Sequence, residues 1–148
     1  MAIGSATTPY NAKASSVPQA AIVLLGRFFY ASIFLVAAPT HFSKQTIAYA
    51  AAQGVPLASI AVPLSGIIAL AGGLSILLGY RATIGAWLIV LFLVPVTPML
   101  HKFWTVHDPM TAQTQIVMFM KNLAILGGAL LISQFGAGPL SLDARRSH

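Results

Sequence analysis

Four stretches of about twenty apolar residues each dominate the chain, at about residues 19–38, 57–78, 82–100 and 113–135. Each is long enough, as a helix rising about 1.5 Å per residue, to cross ~30 Å of hydrocarbon. Helices of a soluble bundle show polar outer faces at a period of 3.6 residues, and these segments lack them. The charge content agrees. Only 7% of the 148 residues are charged, against about 25% in soluble domains, whose surfaces face water. The sequence therefore predicts an all-α membrane protein, a four-transmembrane-helix bundle. Around it lie a flexible N-terminal tail over 1–18 and a polar C-terminal tail over 137–148, with the transmembrane domain at 19–136.

Local signals mark the boundaries. Pro39 closes the first span, and Gly79-Tyr80-Arg81 makes a tight turn that sets the second and third as an antiparallel hairpin. Pro95 and Pro98 remove backbone donors near the end of the third, and Gly136, Gly138 and Pro139 stop the fourth. Between the first two spans, Ser43 is placed as an N-cap, with Phe42 and Ile47 as a hydrophobic staple and Gly54 as the stop. Residues 43–53 are thus expected to form a short interfacial helix between helices 1 and 2. Small residues at four-residue spacing (Ala61, Ser65, Ala69, Gly73; Ala124, Gly128) are expected to be seams where helices approach closely.

The net charge of +6 does not signify nucleic-acid binding, because the basic residues are scattered and form no stripe. With no cysteine, disulfides, thiolate metal sites and thiol redox chemistry are excluded. The polar, proline-bearing N-terminus does not resemble a cleavable signal, so the first span is expected to be retained. Lys13, Arg81, Arg145 and Arg146 fall on one side of the spans, and Lys44 and Lys102 on the other. That bias favours both termini in the cytoplasm of a bacterium whose inner membrane holds the chain.

Two cations, Arg27 and Lys121, fall inside spans. The only acids, Asp108 and Asp143, fall outside them, so neither cation has a carboxylate at its own depth. A charge there costs about 2.5–3.5 kcal/mol on insertion scales and normally faces the bundle interior with a partner. Three fates are open: extension to the headgroups; bonding to free carbonyls and to Gln113, Gln115, Asn122 or Ser32; or holding an anionic or carbonyl-bearing ligand, such as a lipid head or a quinone. On the third, Arg27, Lys121, Asn122 and Gln115 are the ligand-binding candidates. A second polar cluster, His41, Lys44, His101, Trp104, His107 and Asp108, gathers on the presumed outer face. Its spacings match no metal-ligand pattern, and no metal or haem site is expected; anchoring at the headgroups or contact with a protein partner fits better. Asp108-Pro109 suits an N-cap ahead of the fourth span.

Several segments together resemble the DoxX family: GRFFYASIFLVAAPTHF, Gly54-Val55-Pro56, GGLSILLGYRATIGAWL, HKFW and FMKNLAILGGALLI, across about residues 20–142. The resemblance implies a small bacterial four-helix membrane protein linked with membrane redox work. It departs at Ala69, where many members of that family carry a Glu that would pair with the first-helix Arg. The expected function is an accessory subunit of a quinone-linked redox system, in contact with membrane lipids and a membrane or peripheral protein partner, with self-association left open. No intrinsic cofactor is expected, and any redox role needs a bound quinone or a partner. The alternative is a non-enzymatic structural or assembly subunit of a larger membrane complex.

Overall fold

The computed structural model describes residues 17–146. Most of the N-terminal tail, including Lys13, and the last two residues lie outside the described range. Helix α1 spans Val17–Ala37. Pro39 lies just past its end. It withholds the next helical N–H, and residues Ala38–Phe42 tighten into a 3-10 turn. The Ala37 carbonyl at this junction accepts from Thr40 Oγ1 at 2.7 Å and from His41 Nδ1 at 3.2 Å. Helix α2 (Lys44–Ala52) begins as expected, with the Thr46 N–H donating to Ser43 Oγ at 3.1 Å, and it ends at Gly54 with φ +82°.

Helices α3 (Ala58–Leu78) and α4 (Ala82–Leu100) form the hairpin, turning through Gly79 at φ +63° and Arg81 at φ +49°. Helix α5 (Pro109–Phe135) starts ahead of the apolar run, because Asp108 caps it: the Thr111 N–H donates to Asp108 Oδ2 at 2.7 Å. A short α6 (Leu142–Arg146) follows. The four long helices are apolar enough to cross a membrane, and their large side chains point outward, as at Phe29, Leu64, Leu91, Met120 and Leu131. This inverts the order of a soluble bundle and suits lipid as the outer solvent.

The long helices pack in sequence: α1 on α3, α3 on α4, α4 on α5, with no extensive backbone approach between α1 and α5. The core runs through Phe34, Ala69, Ile76, Ala86, Ile89, Leu93 and Ala129. On α3 the close-packed stripe is rotated from the expected one. Ala69 and Gly73 belong to it, joined by Gly66 and Gly72, while Ala61 and Ser65 are only half-buried. A Cβ on Gly72 would stand 2.9 Å from the Gly85 carbonyl oxygen of α4, and one on Gly66 would stand 2.6 Å from His41 Cβ. On α5, Gly128 lies under the Tyr30 ring, but Ala124 faces outward.

Candidate functional site

Where the α1 and α5 backbones stand apart, a cleft of about 200 Å³ opens, with His41, His101, Lys121 and Asn122 among its mostly apolar lining. Ile33, Phe34 and Ala37 form its α1 wall, Lys121, Asn122 and Ile125 its α5 wall, and Phe92, Leu93 and Val96 its floor on α4. His41 and His101 close one end. Their positions follow from the chain ends beneath them: His41 sits in the 3-10 turn that Pro39 creates, and His101 is the residue on which α4 ends.

His41 Nδ1 bonds the Ala37 carbonyl, and its ring meets Phe92 edge-on at 5.8 Å. His101 Nδ1 lies 2.8 Å from Gln115 Oε1. The Ala37 acceptor is a backbone carbonyl, so in the His41 ring Nδ1 carries the hydrogen. Each Nε2 has no hydrogen-bond partner among the described residues. Deeper in, Asn122 is buried and donates from Nδ2 to Thr97 Oγ1 at 3.2 Å. Lys121 lies about 9 Å further along α5 than Gln115, by the helical rise. Its ammonium has only a 3.4 Å contact to Met118 Sδ, and no carboxylate meets it among the described residues.

Arg27 does not join this group. It is buried at the other end of the bundle, donating from one nitrogen to the Ala137 carbonyl (3.2 Å) and from another to that of Leu140 (2.7 Å). Its Nε has no hydrogen-bond partner among the described residues. Asp143 lies outside the spans, but the segment after α5 folds back and brings its charge close enough to interact with Arg27. Asp143 Oδ1 and Oδ2 accept from the Arg81 and Ala82 N–H groups at 2.8 and 3.1 Å, and the Asp143 N–H donates to the Gly79 carbonyl at 2.8 Å. One side chain thus caps α4, whose own N-cap residue offers no side-chain bond.

The structure divides both sequence-derived groups. Of the ligand candidates, Lys121 and Asn122 line the cleft, Gln115 supports it through His101, and Arg27 lies elsewhere. Of the outer cluster, His41 and His101 turn into the cleft, whereas Lys44 and His107 stay exposed. Trp104 packs edge-on against Phe103 and Phe119, at 5.0 and 6.2 Å. Asp108 is engaged as a cap, and hydrogen bonds from the Thr111 hydroxyl and N–H hold its carboxyl below the usual value. Among the described residues no group of three His or acidic side chains is placed to hold a metal ion. Sequence reasoning missed Thr97, a polar residue set between two prolines of an apolar run, and the aromatic walls Phe34 and Phe92. The spacing of Gln115 and Asn122, two turns apart on one face of α5, was the available signal for the cleft.

Four membrane-length helices around a lateral cleft with a few polar residues in its walls define a small polytopic membrane protein. Residues 46–148 match the model of the SURF4 family, and the chain belongs to that family. It is similar to two proteins of Escherichia coli (strain K12). To inner membrane protein YqjF it is 36% identical over 95 residues, covering 64% of this chain and 67% of that one. To inner membrane protein YphA it is 27% identical over 100 residues, 68% of this chain and 71% of that one. No solved structure is a significant match. The family match corrects the assignment suggested by the DoxX resemblance. The geometry removes its key departure as well: Arg27 packs at the level of Gly79, whereas Ala69 lies in the core and lines the cleft, about 15 Å away along α3. A carboxylate at position 69 would not have met this arginine.

Proposed function

We propose that this chain is a ligand-binding protein of the bacterial inner membrane, admitting one amphiphile sideways from the bilayer into the α1–α5 cleft. The observation that carries this reading is Lys121, a cation within a membrane-length helix with no acid beside it. An oxygen-rich head in the cleft would neutralise the ammonium and accept from it, offsetting the cost of its place in the span. The groups gathered there include no nucleophile–base pair among the described residues, so binding fits them better than covalent chemistry. Two relatives whose names place them in the inner membrane support the location. A quinone carbonyl is the neutral alternative for the same donors, and with it the chain would serve a quinone-linked redox system as an accessory subunit.

Gentle-detergent purification followed by mass spectrometry of the bound lipids and quinones tests this. One amphiphile at near-equal amount with wild type, and its loss in Lys121→Met, is the expected result. The same lipids on both proteins, or none on either, would end the proposal. A second reading, a structural subunit packed against a larger complex, draws on Ala124 and Gly127, which face outward on α5 with open space over Gly127. Crosslinking from Gly127→Cys to another protein in native membranes would favour it.

A further inference from the structure

A second cleft, of about 170 Å³, lies between α2, α3 and α4. Tyr49, Ala50 and Val55 form one wall, Ala61 and Ser65 another, and Met99 belongs to the α4 side. It is almost wholly apolar, whereas the first carries His41, His101, Lys121 and Asn122 among mostly apolar walls. His41 and Val96 line both, so the two spaces adjoin across these two side chains. The 3-10 turn lies close on α3 only because position 66 is glycine, where any Cβ would push the His41 side chain away. Pro39, Gly66 and His41 together thus build a partition between the two clefts.

We propose that the two clefts are a single site for an anionic, single-chain amphiphile, with its head at Lys121 and its chain passing His41 into the α2–α3–α4 cleft. This rests on the preceding reading of the α1–α5 cleft and names the class of its ligand. Three features select that class. The unneutralised Lys121 ammonium asks for an anion. His41, His101 and Asn122 add further polar groups along the same cleft. The second chamber offers almost no polar partner, so a hydrocarbon chain gains there by leaving no head group unsatisfied. Its restricted volume fits one short chain better than the paired chains of a bilayer lipid.

Because the chain contains no cysteine, single thiols can report occupancy of each chamber. Ala37→Cys places one in the α1–α5 cleft and Ser65→Cys one in the α2–α3–α4 cleft, the latter nearly isosteric. Each variant, in phosphatidylcholine nanodiscs, is labelled with N-ethylmaleimide in the presence of butyl phosphate, dodecyl phosphate or decylbenzoquinone. Butyl phosphate is expected to protect only Ala37→Cys, and dodecyl phosphate to slow labelling of both several-fold. Adding Lys121→Met should abolish both protections. Dodecyl phosphate protecting Ala37→Cys but not Ser65→Cys would overturn the two-chamber inference and leave the α1–α5 cleft as a head site. Protection at neither position would overturn both readings. Equal protection by decylbenzoquinone, or protection that survives Lys121→Met, would overturn the anionic class.

Discussion

Arg27 reaches the carbonyls of Ala137 and Leu140 with two different nitrogens of one planar fork. A lysine, a single point donor on a flexible stem, cannot reproduce that geometry. Arg27→Met leaves two acceptors without their donor, a loss of about 1–3 kcal/mol for a buried group of this kind. Release of the segment after α5 should then show as faster tryptic cleavage at Arg145 in detergent, with Arg27→Lys falling between. Unchanged cleavage in Arg27→Met would mean that other contacts hold the segment. Asp108 makes a different kind of residue-level prediction. Its carboxyl is held below the ordinary value of 3.8 by the Thr111 hydroxyl, then by the Thr111 N–H. A depressed folded pKa stabilises the fold above the ordinary value and loses that contribution as pH falls through the folded value. Melting curves of wild type and Asp108→Ala should therefore differ by a constant margin at neutral pH and converge below about pH 4. A margin that stays constant down to pH 2 would contradict the capping account.

At the scale of elements, several helix ends follow from a residue visible in the sequence. Asp108 caps α5, Ser43 caps α2, and Gly79 turns α3 into α4. What could not be read was contact between distant segments. Asp143 caps α4 across the hairpin, and nothing in the local sequence of α4 shows it. The cleft was only half legible for a similar reason. Gln115, Lys121 and Asn122 stand on one helix, but the inward turn of His41 depends on a proline-induced tightening and on a glycine of another helix. The same distinction gives a paired test. Gly54 and Gly79 both have positive φ, which costs about 1–2 kcal/mol for a residue with a Cβ. Space is open at Gly54, whereas a Cβ on Gly79 would collide with the Arg27 guanidinium and with Ser141. Gly79→Ala is thus expected to destabilise clearly more than Gly54→Ala in denaturant unfolding. Asp143→Ala should cost about 0.5–2 kcal/mol as a lost cap. Equal losses at the two glycines would show that the C-terminal segment is not docked on the hairpin.

For the whole molecule, the apolar lengths and the scarcity of charge were enough to define a four-helix membrane bundle, because lipid leaves so few ways to satisfy a backbone. Sidedness is a weaker signal, carried by a handful of cations, and the fold shows how they are grouped. The Arg81 N–H is bound to Asp143, so Arg81 lies at the same end as the C-terminal segment. Lys102 donates to the Gln53 carbonyl at 2.7 Å, which groups it with the α2 end and Lys44. The positive-inside tendency then predicts that the C-terminal end faces the cytoplasm and the His41–His101 end of the cleft the periplasm. Single cysteines in the cysteine-free chain test this directly. Thr105→Cys lies on the exposed loop ahead of α5, and Leu142→Cys opens α6. A membrane-impermeant maleimide that passes the outer membrane should label Thr105→Cys in intact cells and Leu142→Cys only after lysis. The reverse pattern would invert the bundle, and with it the leaflet from which an amphiphile's head meets the histidine end of the cleft.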